Sequence, residues 1–384
     1  MSRSDGRLKV ALLVNIIAPA KMPVFSGLAE HFDLLLLHGG MESNRDTWSD
    51  SEQQIPGATI KRVLGWQIPL TKMDGKISDK RHLHISPGFL WHLFRFHPDV
   101  IVTNEMGVRT VLALLYGTLF RKPVWVWWGG TLHTEHQIGT IRRLLRFVVS
   151  RWARHWFSYG ETSSEYLTSI GIPRDSIVQI QNSVDETRFS SLAAPEFQVQ
   201  PRPVLLHAGQ LIPRKGVDLL LKACGALQKE GLEFSLLLVG GGSDQETLKQ
   251  LVSDLQLKNV YFRPSQKSDK MPGVYRSGDA LILPTLSDVW GVVANEAVLS
   301  GIPVLCSKYA GCAKELFLDD GVFDPEDAAE FVEKLRNAVL GRLPTPDRSR
   351  IKTTAEIVNR MVFAIEESST HRQVGTVNAA QVRK

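Results

Sequence analysis

The sequence predicts an α/β chain of two doubly wound domains facing a cleft. Three observations predict it. Short apolar runs such as LKVALLV, DLLLLH and PVWVWW lack alternation, which suits parallel strands covered on both faces. Stretches with helical spacing follow these runs, and the βα series occurs once in each half of the chain. A proline-rich, non-periodic segment, SSLAAPEFQVQPRP, separates the halves. At 384 residues the chain also exceeds what one core ordinarily supports.

In the first half, Leu8–Ile17 reads as a first buried strand. Basic residues, an apolar run and Ala18-Pro19-Ala20 also fit a signal peptide, but Asn15 interrupts the run and a proline-containing loop follows. A helix around Val24–His31 and the strand DLLLLH come next. After a polar stretch, FLWHLFRFHPDVIVTNE gives a helix feeding the strand Asp99–Thr103. VRTVLALLYGTLF is a helix, and its uncharged part is too short to span about 30 Å of hydrocarbon. PVWVWWG is a strand and Ile141–Trp156 a helix. HWFSYGETSSEYLTSIGI is strand, turn and helix, and SIVQIQNSV is the last strand.

The second half restarts with the strand PVLLHAGQ and the helix VDLLLKACGALQKE. FSLLLVGGG, QETLKQLVSDL, NVYFRP, MPGVYRSG and ALILPT continue the alternation, and a helix after Gly291, the strand PVLCS and the helix CAKELF complete it. The domains expected are therefore 1–189 and 204–350, with a linker at 190–203. A helix at about 353–367 is expected to pack back on the first domain, ahead of a flexible tail at 368–384.

Three cysteines without metal-site or disulfide spacing point to a reducing, cytoplasmic compartment and to no bound metal. The net charge of +5 is lopsided: 21 basic residues face 15 acidic ones up to Asn182, and 24 face 25 after it. Much of the excess lies in IRRLLRFVVSRWARHWF, Ile141–Phe157. One reading is a solvated basic face opposite a core face. The other is peripheral docking on anionic lipid at the inner face of a membrane. Nucleic acid is not expected, because the excess is small and no binding motif is present.

Two stretches carry candidate chemistry. HAGQLIPRKGVDLLLKA follows a strand and opens a helix. Gly209 and Gly216 permit close backbone approach, while Arg214 and Lys215 offer two cations at a helix start, a setting that suits a diphosphate. In LSDVWGVVANEAVLSGIPVLC, Gly291 stands where a helix begins, Asp288 precedes it and Glu296 lies in its second turn. Taken singly, these acids also read as an N-cap and a salt-bridge partner.

Together with LVGGG and YGETSSEYLTSIGIPRDSIVQIQNSVDETRF, these stretches resemble glycosyltransferase family 4, retaining enzymes that use nucleotide sugars on the GT-B fold. The likeness covers nearly the whole chain and is strongest from Ser158 to Cys306. It implies that Glu296 holds the ribose hydroxyls of the donor and that Asp288, where Glu is commoner, touches the donor sugar. Amides around Trp290 and Gly291 would bind the β-phosphate, and Lys215 the diphosphate. Gly209 belongs to the same loop. Gln210 stands where the family carries Arg, so Arg214 is the candidate replacement. Backbone groups from Pro264 to Gln266 would read the base.

The resemblance places the acceptor in the first domain. The loop IIAPAKMPVF replaces the family's glycine-rich loop there, so a different kind of acceptor loop is expected. His133, with His136 second, would lie near the reacting carbon, and Glu161 would face the cleft. A plain surface-loop histidine is the other reading of His133. No metal or cofactor is implied: the nucleotide sugar, UDP-linked, is a co-substrate, and the hydroxyl acceptor is lipid-linked or at a membrane surface. A sugar-nucleotide epimerase and a catalytically silent sugar-nucleotide binder are the alternatives.

Overall fold

Buried runs in extended conformation satisfy their backbone by pairing with one another, so they gather into sheets. The computed structural model describes residues 6–39, 55–63, 65–70, 81–136 and 138–381. These divide into two units. Unit one comprises Met1–Thr71, Lys80–Ser183 and Lys352–Lys384; unit two comprises Lys72–Asp79 and Val184–Ile351.

In unit one the strands are β1 (Lys9–Val14), β2 (Asp33–His38), β3 (Ala58–Arg62), β4 (Trp66–Leu70), β5 (Arg81–Ile85), β6 (Val100–Asn104), β7 (Val124–Trp128), β8 (His155–Ser158) and β9 (Ile177–Gln179). Seven form a sheet in the order β3-β2-β1-β6-β7-β8-β9, all parallel. β4 and β5 make a separate antiparallel ribbon. β3 sits at the edge with a polar sequence, ATIKR, which explains why apolar patterning does not reveal it. The core joins Leu13, Ile101, Val126 and Trp156 from the sheet with Leu93, Leu114 and Val149 from the covering helices.

The basic segment expected as a helix over Ile141–Trp156 is helical only over Thr140–Trp152, and the chain is extended at Ala153 before entering β8. Near the other end of the chain, the helix Thr354–Gln381 runs past the Glu367 limit read from the sequence. It packs on the helix Met22–His31, so closely that a Cβ at Gly27 would meet Val358 at 2.7 Å. The indole Nε1 of Trp125 donates to Ser368 at 3.1 Å. Residues 382–384 of the expected tail lie outside the described residues. No helix among the described residues is long and apolar enough to cross a membrane.

In unit two the strands are β10 (Val204–Ala208), β11 (Ser235–Val239), β12 (Val260–Arg263), β13 (Ala280–Leu283), β14 (Val304–Ser307) and β15 (Val322–Phe323). They form one parallel sheet in the order β12-β11-β10-β13-β14-β15. Counted from β10, this is the 3-2-1-4-5-6 arrangement, whose connections reverse direction between β10 and β13. Residues 184–203 belong to this unit, where Glu196 N–H donates to Gly273 O at 2.9 Å and Phe197 N–H to Ser277 Oγ at 2.9 Å.

One buried cation in unit one stands apart energetically. Lys21 is 9% exposed, and its ammonium has no hydrogen-bond acceptor among the described residues. It lies 4.2 Å from the ring centre of Trp127 and 4.3 Å from that of Tyr159. Burial holds its pKa well below the usual lysine value. The unfolded chain therefore binds a proton that the folded chain releases, so this group's contribution to stability rises with pH up to the ordinary lysine pKa. Lys21→Met is expected to raise the unfolding midpoint at neutral pH by about 2–4 °C, roughly 1 kcal/mol, and to flatten its rise toward alkaline pH. Differential scanning fluorimetry across pH checks both.

Candidate functional site

The loops that leave β10 and β13 emerge side by side at the point where the sheet's connections reverse, where open α/β sheets hold ligands. After β10 the chain passes Gly209 and Gln210 into a single 3₁₀ turn, Pro213–Lys215, and then enters the helix Val217–Lys229 through Gly216. Gly216 has φ 64°, and a Cβ there would lie 2.2 Å from Pro284 O. Only glycine allows both that backbone angle and that contact. The turn after β11 presses on the same loop, since a Cβ at Gly240 would meet Gly209 O at 1.8 Å. Leu211 N–H donates to Gly241 O at 2.9 Å.

The loop after β13 is fastened to the first one by its backbone. Leu286 N–H donates to Arg214 O at 2.8 Å, and the Arg214 guanidinium donates to Ser287 O at 3.1 Å. The side chains complete the link: the Lys215 ammonium forms an ion pair with Asp288, both largely buried. Trp290 N–H donates to the other Asp288 oxygen at 3.3 Å. Burial by itself raises the Asp288 carboxyl. The charges of Lys215 and Arg214 and the hydrogen bonds from Lys215 and Trp290 outweigh it and hold Asp288 below the usual carboxylate range.

Gly291, at φ 93°, caps the helix Val292–Ser300. A helix start leaves its first amides without intrahelical acceptors and carries a partial positive charge. The Trp290 indole, wholly buried, donates to Asn295 Oδ1 at 2.8 Å and fixes the angle at which the chain enters the helix. One turn further on, Tyr275 OH donates to Glu296 Oε2 at 2.5 Å. Burial raises the Glu296 carboxyl to about 7 even though Tyr275 and the charge of Arg188 act to lower it. Glu296 as a residue is half-buried.

The structure thus brings together Gly209, Arg214, Lys215, Asp288, Trp290, Gly291 and Glu296 in unit two. Gln210 lies half-buried in the same loop. Gln266, after β12, folds its amide back to Pro264 O at 3.0 Å. His133 and His136 belong to unit one, exposed on and just after the four-residue helix Leu132–Glu135. Glu161, also in unit one, is taken up by Arg174 at 2.6 Å and by the Gln179 amide at 2.6 Å.

Sequence reasoning missed Tyr275 and Arg188: Tyr275 sits in the short helix MPGVYRSG, and Arg188 lies within the quoted stretch ending VDETRF without being singled out. It also missed His207, on β10. The imidazole is buried, with Nδ1 3.2 Å from Ile282 O, and burial lowers its pKa to about 4, so it is neutral beside Lys215 at ordinary pH. A buried histidine inside a strand carries no sequence signal of its own. Among the described residues, no group of three His, Cys, Asp or Glu side chains is placed to hold a metal ion.

Residues 192–357 match the family model described as glycosyl transferases group 1. The chain is similar to a sulfoquinovosyl transferase of Arabidopsis thaliana, with 24% identity over 284 residues, 68% of this chain and 53% of that protein. It is also similar to a GDP-mannose-dependent alpha-(1-6)-phosphatidylinositol monomannoside mannosyltransferase of Mycolicibacterium smegmatis. Identity there is 28% over 202 residues, covering 49% of this chain and 52% of that protein. The chain spans about half the length of these curated relatives. Among solved structures, Anabaena HepE in complex with UDP superposes with a TM-score of 0.66 at 16% identity, over 97% of this chain and all of that one. At that identity the likeness speaks for the fold. The glycosyl transferases group 1 match thus falls on residues 192–357, and the chain's two parallel-sheet α/β units share the fold of that solved structure.

Proposed function

We propose that the chain is a retaining, family 4 glycosyltransferase that moves a sugar from a nucleoside-diphosphate sugar to a hydroxyl acceptor in cell-surface polysaccharide or glycolipid assembly. The observation that carries this reading is the convergence of Lys215, Arg214 and the helix start at Gly291 where the second sheet reverses its connections. Two cations and a helix dipole at one point favour a diphosphate. Glu296, with two carboxylate oxygens, suits the ribose diol. UDP is the favoured nucleotide, supported by the HepE complex. A lipid-linked acceptor is supported by the phosphatidylinositol substrate named for the mycobacterial relative.

In the proposed reaction the bond from the anomeric carbon to the diphosphate oxygen breaks while the acceptor oxygen attacks from the same face. The departing diphosphate takes the acceptor's proton. Lys215, Arg214 and the amides at Gly291 stabilise the charge that builds on the leaving group, the part a metal plays elsewhere. On this reading no cofactor is needed and the enzyme is a metal-independent hexosyltransferase. Asp288 exchanges part of its pairing with Lys215 for sugar hydroxyls. Gly209 lets the backbone approach the donor, Gln266 lies by the base, and His133 serves the acceptor side. The enzyme works in the cytoplasm, peripheral to an anionic membrane surface.

A silent sugar-nucleotide binder is the second reading, favoured by the neutral Gln210 in a loop where the family carries Arg. Release of nucleoside diphosphate from UDP-, GDP- and ADP-sugars in the presence of hydroxyl acceptors separates the two.

Lys215→Ala is expected to lower kcat by about 10²–10³-fold and to lower the unfolding midpoint, because Asp288 is left buried and unpaired. Adding Asp288→Asn should recover the midpoint but not turnover; recovery of both would make Lys215 a purely structural residue. For Glu296, UDP affinity by calorimetry should rise as pH passes through about 7, where the carboxyl ionises and can accept the diol, and Glu296→Gln should bind weakly at every pH. The stability of the ligand-free protein moves the other way. Between 4.5 and about 7 the folded chain holds a proton that the unfolded chain releases, so Glu296 contributes less as pH rises through that window. Glu296→Gln should abolish that slope.

A further inference from the structure

We propose that three adjoining helices of unit one form a face that inserts into the surface of an anionic lipid bilayer. The inference deepens the membrane contact read above and rests on that reading of a lipid-linked acceptor. The helices are Gly88–Phe96, Val108–Leu119 and Thr140–Trp152. The first packs on the second through Phe94, whose ring lies 5.4 Å from Tyr116 and 5.5 Å from Phe120. The second packs on the third, where the Trp152 indole donates to Thr118 at 3.0 Å.

Large apolar side chains stand in water along this surface. Leu119 is 71% exposed, Leu144 61%, Trp91 59% and Phe147 57%, with Phe94, Leu115, Phe120 and Ile141 exposed beside them. Single exposed apolar residues are ordinary, but a run of them over adjoining elements marks a contact surface. Ile141, Leu144 and Phe147 fall at three-residue spacing along one side of the third helix.

Charge selects the occupant. The three helices contain no Asp or Glu, and six arginines: Arg95, Arg109, Arg142, Arg143, Arg146 and Arg151. Arg109 and Arg146 are used internally. Arg109 is buried and donates to Asn15 at 2.5 Å and to Glu105 at 3.0 Å. Arg146 pairs with Glu135 at 2.9 Å and lies 4.5 Å from the ring centre of Trp128. Arg95, Arg143 and Arg151 stay at the surface among the apolar residues. An acid-free face of arginines and aromatics repels a second copy of itself. It suits a bilayer whose headgroups are negative and whose acyl boundary takes up Leu, Phe and Trp. Arg146 accordingly drops out of the basic set read from the sequence.

The test is co-sedimentation of the full chain with phosphatidylcholine vesicles, with and without phosphatidylglycerol, at low and high salt. Binding is expected only to the anionic vesicles, weakened by salt. Leu119→Ser and Leu144→Ser should each lower partitioning about tenfold. Arg143→Gln with Arg151→Gln should lower it by about tenfold or more and remove most of the salt dependence. Circular dichroism and release of nucleoside diphosphate with a soluble acceptor should stay unchanged in all of these. Equal binding to neutral vesicles, or variants that bind as the parent does, would overturn the proposal. So would a concentration-dependent dimer that the same variants abolish, since the face would then belong to a second copy. Vesicle binding without any donor turnover would leave the docking face standing and remove the transferase reading; turnover without vesicle binding would do the reverse.

Discussion

The ion pair between Lys215 and Asp288 is the interaction on which the second unit's site depends. Each charge is largely withdrawn from water, and neither would be tolerated there alone. Their pairing ties the loop after β10 to the loop after β13, so two segments 73 residues apart in sequence share one geometry. The backbone bond from Leu286 to Arg214 and the contact of Gly216 with Pro284 reinforce the same junction. Each partner satisfies the other, so neither charge is left stranded.

The second acid is held by a different kind of force. Among the described residues Glu296 has no cation in hydrogen-bond contact, and its strong partner is a neutral phenol, Tyr275. The helix and the loop that leads into it therefore carry two carboxyl groups of opposite character, one charged through pairing and one pushed toward neutrality by burial. Neighbouring carboxyl groups in unlike surroundings are how proteins give the same functional group two tasks.

Much of this was legible in the sequence. Unalternating apolar runs such as VLLHA, SLLLV and ALIL mark buried parallel strands, and the structure places all three in the second sheet. The glycines at 216 and 291 marked helix starts, because left-handed backbone is costly for any other residue. What could not be read was pairing across the fold. Nothing local to Lys215 names Asp288 as its partner, nothing in YRSG announces that Tyr275 reaches Glu296, and Glu161 gives no sign that Arg174 and Gln179 will claim it. Edge strands with polar faces, β3 above all, escape periodicity because only part of their surface is buried. The three helices of the docking face show the same division. Their lack of acids is visible in the letters, but which arginines turn inward depends on Asn15, Glu105 and Glu135, which lie on other elements.

The helix Thr354–Gln381 has a consequence for how the chain is made. It belongs to unit one, yet it follows every strand of unit two in the chain. A ribosome therefore delivers β10 to β15 before it delivers the residues that cover the helix Met22–His31. Unit two holds an uninterrupted block of its own strands and can close on itself as it emerges. Until that last helix emerges, unit one waits with an apolar flank uncovered.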